Sequence, residues 1–261
     1  MENRFPPKRT FHTTKPVNKE REKELAFGVQ TVTEALLSGQ EFDRLLIQWE
    51  TNMPEIQKLA AEREIVIQRV PLEKLNKITR KNHQGVIGFM SAVRYVSLHN
   101  ILSGVFERGE TPLLLILDRI TDVRNFGAIA RTAECMGVQA IVVPVRGAAQ
   151  INSDALKTSS GALNHLPICR ENNLVETLQY LQESGVQVVA CTEKGATNIA
   201  EADFSTPTAI LMGSEEDGIA PELLRRADAI VKIPMSGKVG SLNVSVATAM
   251  IIYEATRQRA V

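Results

Sequence analysis

A loop of small and polar residues precedes the last apolar helix that the sequence predicts, and this loop is well suited to hold a ligand. Residues 233–247 begin with the end of an apolar strand, pass through two glycines, and carry Ser241, Asn243 and Ser245 into the helix. Glycines let the backbone approach a ligand closely, and the first turn of a helix presents unpaired N–H groups. The pattern suits an anion or a nucleotide-like ligand, although glycine and serine before a helix also form ordinary N-terminal caps.

Two other segments place polar residues directly after an apolar, strand-like run. Residues 118–134 contain Asn125 and Arg131 across the predicted turn into a helix, and residues 211–219 carry Glu215 in a turn after a strand. Ligands of open α/β sheets bind at the carboxyl ends of the strands. We therefore expect these segments to meet at one edge of a sheet.

In this order and at this separation, the three segments closely resemble the three motifs of the SpoU family of RNA ribose 2′-O-methyltransferases. The resemblance covers about residues 24–257 and is specific, because three separated motifs must agree. It implies a knotted α/β catalytic domain, S-adenosylmethionine as methyl donor, and a homodimer. The positions that it implies for catalysis are Arg131, Asn125, Glu215, Ser241 and Asn243. Those that it implies for the donor are Gly213, Ile233 and Leu242, and Thr192 and Glu193 at a neighbouring strand end are expected to line the same pocket.

The chemistry that the resemblance implies aligns the ribose oxygen, the methyl carbon and the sulfur, and removes the hydroxyl proton. A sulfonium already activates its methyl group, so no metal is needed, and the sequence contains no HExxH, no CxxC and no His cluster. The resemblance implicates Arg131 most directly in activating the hydroxyl. Because a guanidinium stays protonated, we expect Arg131 to hold the adjacent phosphate or to stabilise the alkoxide, with the proton acceptor left open. The alternative is an ordinary surface arginine. Glu215 is expected to hold Arg131 or Asn125 in place.

Beyond Pro112 the sequence alternates between strand-like and helical stretches. The strand-like runs are residues 113–118, 138–143, 166–169, 186–191, 208–212 and 229–233, and the helical ones are near residues 126–136, 153–163, 173–184, 219–226 and 242–257. Strands that are apolar at every position and separated by helices predict a parallel sheet covered on both faces. Periodicity does not reveal a knot, so the trefoil knot follows from the resemblance alone.

Residues 24–94 predict a small α/β domain that resembles the ribosomal-protein-like RNA-binding domain of many SpoU members. The residues expected to contact the substrate RNA cluster before its last strand and are Lys74, Lys77, Arg80, Lys81 and His83. A helical continuation would place Lys74, Lys77 and Lys81 on one face, where they either contact phosphates or form a solvated surface. Residues 95–111 are expected to be a linker and residues 112–261 the catalytic domain, so a chain beginning near residue 109 should fold alone.

Composition fits a globular enzyme of the cytoplasm. Hydrophobic residues make up 44% of the chain and charged residues 23%, and no secretory signal is visible. The longest apolar runs fall far short of the ~18 residues of a membrane-spanning helix. Cys135, Cys169 and Cys191 are widely spaced, as expected of free thiols in a reducing compartment.

Residues 1–23 carry a net charge of +4 and the remainder −4. This basic tail is expected to be disordered, and it either attracts phosphates or has no role.

Domain order, length and the segment His83-Gln84-Gly85 look most like enzymes that methylate a guanosine ribose in large-subunit ribosomal RNA. A transfer RNA ribose is the alternative within the same enzyme class. A catalytically silent RNA-binding or ribosome-assembly protein on the same fold is the alternative outside it, and the presence of all five catalytic positions argues against it. A generic nucleotide-binding enzyme is disfavoured because neither GxGxxG nor GxxxxGKS/T occurs.

Overall fold

The computed structural model describes residues 24–260, which form two β-sheets. The predicted basic tail, residues 1–23, lies outside the described residues. The first sheet has four strands in the order β1-β4-β2-β3. These strands are β1 (Leu25–Phe27), β2 (Phe42–Gln48), β3 (Val66–Val70) and β4 (Val86–Met90). β2 and β3 are parallel, whereas β4 is antiparallel to both β1 and β2.

Helices cover both faces of this first sheet. They are α1 (Val29–Leu37), α2 (Pro54–Glu62) and α3 (Leu72–Ile78). Successive side chains of a strand point to opposite faces, and β2 is apolar on both. Leu45 and Ile47 pack with α1 and α2, whereas Leu46 packs with Leu75 of α3. Strands and helices therefore alternate as predicted for a small α/β domain, with one core on each side of the sheet.

The second sheet has eight strands in the order β10-β12-β9-β11-β6-β7-β8-β5, and every neighbouring pair is parallel. Its strands are β5 (Tyr95–Val96), β6 (Leu113–Leu117), β7 (Ala140–Pro144), β8 (Ile168–Glu171), β9 (Gln187–Cys191), β10 (Thr197–Asn198), β11 (Thr208–Met212) and β12 (Ala229–Lys232). The central strands β6 and β11 are buried along their whole length, as expected of a sheet covered on both faces. The predicted parallel α/β sheet is confirmed.

Six helices pack on this sheet. They are α4 (Leu98–Glu107), α5 (Val123–Cys135), α6 (Ser153–Thr158), α7 (Leu174–Glu183), α8 (Pro221–Leu224) and α9 (Val244–Arg259). One face is covered by α5, α6 and α9, which contribute Phe126, Ala155 and Ile251 among others. The other is covered by α4, α7 and α8. The catalytic candidates Asn125 and Asn243 therefore lie at the starts of two helices on the same face.

The segment expected to be a linker contains β5 and the ten-residue helix α4. Ser97 caps this helix by accepting a hydrogen bond from the backbone N–H of Asn100. Leu98 and Leu102 are buried and pack in the core on one face of the second sheet. Their helical spacing is interrupted by Asn, Ser and Gly, which are typical of loops. The helix is thus part of the core that the following strands build.

Candidate active site

The three motif segments meet at the carboxyl edge of the second sheet, where β6, β11 and β12 end. Asn125 follows β6, Glu215 follows β11, and Asn243 follows β12. Parallel strands end at the same edge, so side chains distant in sequence become neighbours there. Asn125 and Asn243 are 118 residues apart, yet the Asn243 Nδ2 donates to the Asn125 Oδ1 at 3.1 Å.

Glu215 lies at the centre of this cluster. Its Oε1 accepts hydrogen bonds from the side-chain amide of Asn125 at 3.0 Å, from that of Asn243 at 2.6 Å, and from the backbone N–H of Val244 at 3.4 Å. Hydrogen bonds to an ionised acceptor are stronger than neutral ones. The carboxylate therefore holds the starts of α5 and α9 together and orients both amides.

Helix caps fix the backbone on either side of Glu215. The Asp122 carboxylate accepts from the backbone N–H groups of Arg124 at 2.7 Å and Asn125 at 3.0 Å, which starts α5. The Asn243 Oδ1 accepts from the backbone N–H of Ser245 at 3.0 Å and from its hydroxyl at 2.6 Å, which starts α9. The ordinary capping function of Asn243 is thus present together with its contact to Glu215.

The turn after β11 is packed too tightly for a side chain at its first position. A Cβ on Gly213 would lie 2.2 Å from the Gly218 backbone, so glycine is required there. Beside this turn, Arg119 pairs with the buried carboxylate of Asp118 at 3.1 Å and with Asp217 at 3.2 Å. Arg119 has a φ of 57°, which is uncommon for a residue other than glycine. Arg119 was not among the residues predicted for the site, since a single Arg after a strand carries no distinctive signal.

A cavity of about 580 Å³ opens beside the cluster. All five residues expected to bind the donor line it, together with three expected catalytic residues: Gly213, Ile233, Leu242, Thr192, Glu193, Glu215, Ser241 and Asn243. Ile233 and Val244 supply apolar walls, and Glu193 and Glu216 supply exposed carboxylates. The apolar walls suit a flat adenine ring, and the carboxylates suit the cationic sulfonium and amino groups of S-adenosylmethionine. The lining therefore fits this donor.

Arg131 lies apart from the cluster. Six residues along a helix rotate by about 600°, so Arg131 faces roughly 120° away from Asn125 on α5. Its side chain is exposed and makes no hydrogen bond or ion pair with any residue in the range 24–260. Of the two contacts expected for Glu215, the structure contains the one to Asn125. The guanidinium of Arg131 is thus presented to solvent, away from Glu215.

The basic residues of the first domain separate into two groups. Lys74, Lys77, Arg80 and Lys81 are exposed. His83 is buried, and its ring nitrogens interact with Asn76 Oδ1 at 3.0 Å and with the backbone N–H of Gly85 at 3.1 Å. His83 therefore shapes the turn before β4, and the expectation that it contacts RNA does not fit its burial. Helix α3 ends at Ile78, so Lys81 does not continue the helical face of Lys74 and Lys77.

Residues 112–253 match the SpoU rRNA Methylase family, and residues 25–96 match the family described as RNA 2′-O ribose methyltransferase substrate binding. The fold and the site are therefore those of a methyltransferase that acts on RNA. The chain belongs to the SpoU rRNA methylase family.

Relatives cover nearly the whole described chain. The putative TrmH family tRNA/rRNA methyltransferase YacO of Bacillus subtilis (strain 168) is 35% identical over 235 residues, which is 89% of this chain and 94% of that protein. The AdoMet-bound rRNA methyltransferase from Sinorhizobium meliloti is 30% identical with a TM-score of 0.58, covering 90% of this chain and 88% of that one. The SpoU methyltransferase AviRb from Streptomyces viridochromogenes, in complex with AdoMet, is 25% identical with a TM-score of 0.59, covering 93% and 94%.

These matches confirm three predictions: the SpoU family, RNA methyltransferase activity, and S-adenosylmethionine as the donor. Between residues 24 and 260, no three His, Cys, Asp or Glu side chains are grouped so that they could hold a metal ion. In the same part of the chain, no helix is both long and apolar enough to cross a membrane.

Proposed function

We propose that this enzyme transfers a methyl group from S-adenosylmethionine to the ribose 2′-hydroxyl of a guanosine in large-subunit ribosomal RNA. The observation that carries the proposal is the convergence of Asn125, Glu215 and Asn243 beside a cavity whose lining fits the donor. The relative from Sinorhizobium meliloti is described as an rRNA methyltransferase, which favours ribosomal RNA. The Bacillus subtilis relative is described as a tRNA/rRNA methyltransferase, so a transfer RNA ribose is the second candidate.

The bound donor supplies a methyl group that its positively charged sulfur already activates. The residues of this chain have to place the ribose oxygen in line with that methyl group and to stabilise the developing alkoxide. Asn243 and exposed Ser241 lie in the lining of the cavity, and Asn125 lies beside it. Glu215 orients the side-chain amides of both asparagines. Arg131 carries a fixed positive charge that holds the RNA phosphate next to the ribose. A phosphate oxygen or water then accepts the hydroxyl proton.

RNA recognition is divided between the two parts of the chain in this proposal. Residues 24–94 form the ribosomal-protein-like domain, in which the exposed side chains of Lys74, Lys77, Arg80 and Lys81 contact phosphates. Residues 95–111, predicted to be a linker, lead into the catalytic domain of residues 112–261 and add strand β5 and helix α4 to its sheet and core. The C-terminal trefoil knot that the family resemblance implies is part of this proposal. We place the enzyme in the cytoplasm, where its RNA substrates are made.

A homodimer completes the proposal. Val246, Met250 and Tyr253 of α9 are 48%, 41% and 58% exposed, although the opposite face of the same helix is buried in the core. With Ala128 and Thr132 of α5 they line an open apolar cavity of about 550 Å³. Exposed apolar surface of this kind is typical of an interaction site. This apolar face of α9 is thus left uncovered within one chain, and a second copy is the partner that we propose for it.

The test is to map 2′-O-methyl sites in total RNA from cells with and without this protein. Loss of one guanosine methylation in large-subunit ribosomal RNA is the expected result, and its restoration by the wild-type gene is the control. Loss of a transfer RNA methylation would favour the second candidate. Calorimetric titration with S-adenosylmethionine separates an enzyme from a silent RNA-binding protein, because only the enzyme needs the donor.

A further inference from the structure

A second cleft lies where the two sheets face each other, and its floor is a polar cluster. The Arg170 guanidinium donates to the Asp43 carboxylate at 2.9 Å, to the Tyr95 hydroxyl at 2.6 Å and to the Phe42 carbonyl at 3.2 Å. Burial raises the pKa of Asp43, and Tyr95 and Arg170 act in the opposite direction. This cluster joins β2 of the first sheet to β5 and β8 of the second, so the cleft has a defined shape.

The cleft has a volume of about 490 Å³ and a positive lining. Arg44, Arg69, Arg146 and Arg170 line it, against one carboxylate, Asp43, which Arg170 already neutralises. The exposed guanidinium of Arg146 has no hydrogen bond or ion pair with a residue between 24 and 260. Such a lining favours an anion, and the volume falls in the range of about 300–1,000 Å³ that holds a small organic molecule. A nucleotide meets both conditions.

Two buried donors in the cleft lack partners within the described part of the chain. They are the Nε of Arg44 and the Nε2 of Gln150. The Arg44 guanidinium lies 4.7 Å from the centre of the Phe89 ring, and burial lowers its pKa. A buried donor without an acceptor costs roughly 1–3 kcal/mol. Both residues line the cleft, so a ligand with hydrogen-bond acceptors, such as a phosphate or a base edge, would supply the partners that these donors lack within the described residues.

The wall of the cleft also touches the active-site edge of the sheet. The loop after β7 contributes Arg146, Gly147 and Gln150 to the cleft. In the same loop, the Ala149 backbone N–H donates to the Ile120 carbonyl at 2.7 Å, one residue after Arg119. A Cβ on Gly147 would lie 3.5 Å from the Arg119 side chain. The cleft and the active-site edge are therefore adjacent, as one RNA that occupies both would require.

We infer that this cleft binds a nucleotide of the substrate RNA that flanks the methylated one, an inference that rests on the proposed function. Arg146 and Arg44 hold its phosphate, and the Gln150 amide contacts its base. Phosphate contacts supply affinity without sequence information, whereas an amide reads a base edge. The cleft therefore contributes both to the affinity for RNA and to the choice of site.

The experiment compares the full-length wild type with Arg146→Ala and Gln150→Ala. Arg225→Ala and Gln179→Ala serve as matched controls, because these exposed side chains line none of the cavities described above. The probes are unmodified transcripts of large-subunit ribosomal RNA and of transfer RNA. For whichever transcript the wild type methylates, a pool is also made in which the nucleotides flanking the methylation site vary. RNA affinity is measured by filter binding across a salt series, KM and kcat by methyl transfer, and donor affinity by calorimetry.

We expect Arg146→Ala to raise the KM and Kd for RNA about tenfold and to reduce the salt slope by about 0.7–0.9, with kcat and donor affinity within twofold of wild type. Gln150→Ala should lose the preference of the wild type at one flanking position. Wild-type KM, Kd and flanking preference in both variants would overturn the inference. The inference would also be overturned if Arg146→Ala lost tight binding of guanosine 5′-monophosphate but kept the wild-type affinity for RNA. If the wild type binds the donor but methylates neither RNA, the proposed function fails. The Kd measurements then still show whether the cleft binds RNA.

Discussion

The side-chain amide of Asn243 lies 2.6 Å from the Oε1 of Glu215, and the same oxygen accepts from Asn125 at 3.0 Å. One carboxylate thus aligns two helix starts and binds an amide from each, of which that of Asn243 lines the donor cavity. Because both amides donate to Glu215, the geometry of the site depends on this carboxylate.

Replacing Glu215 should therefore disable the enzyme without unfolding it. We expect Glu215→Ala to lower kcat roughly 100- to 1,000-fold, the loss typical of a preorganised polar contact in an active site. Glu183→Ala on α7 is the control, since Glu183 is exposed and bonds only Gln179 among the described residues. Single-turnover methyl transfer with saturating RNA measures the effect. A Glu215→Ala enzyme as fast as the control would show that the cluster is structural.

Arg131 should be needed for transfer and not for donor binding, because it lies outside the donor cavity. We expect Arg131→Ala to reduce the rate by about two to three orders of magnitude while the calorimetric Kd for S-adenosylmethionine stays within twofold. Arg131→Lys should recover little, because an ammonium does not reproduce the planar guanidinium fork. Wild-type turnover in the alanine variant would remove Arg131 from the mechanism.

The exposed face of α9 should hold two copies together. We expect wild-type protein at micromolar concentration to scatter light as a dimer, and Val246→Lys to shift it to a monomer, because a charge in an apolar interface is costly. Leu37→Lys is the matched control, since Leu37 is 65% exposed on α1 of the first sheet. A monomeric wild type would contradict the proposed dimer.

The position of α4 changes the expected behaviour of a shortened chain. A protein starting near residue 109 loses Leu98 and Leu102, and each buried leucine contributes about 2–5 kcal/mol to core stability. We therefore expect a chain starting at Ala92 to unfold at a clearly higher temperature than one starting at residue 109. The chain starting at Ala92 should bind the donor, and its affinity for RNA should be lower than that of the full-length chain. Equal unfolding temperatures would show that the helix is dispensable.

The sequence by itself determined the alternation of strands and helices and the types of residue at the site. The run Leu113–Leu117 is apolar at every position, which only a strand covered on both faces accommodates. Motif residues such as Gly213 and Asn243 were identified through the family resemblance, and the structure adds a local reason for each, a tight turn at Gly213 and a helix cap at Asn243.

Tertiary structure alone decided which of these residues meet. Glu215 pairs with Asn125 across 90 residues of sequence, and Arg170 with Asp43 across 127, contacts on which periodicity carries no information. The burial of His83 and the place of α4 in the core were decided in the same way. Local patterns report whether a side chain faces the interior, whereas the partner that it finds there depends on the order in which the strands pack.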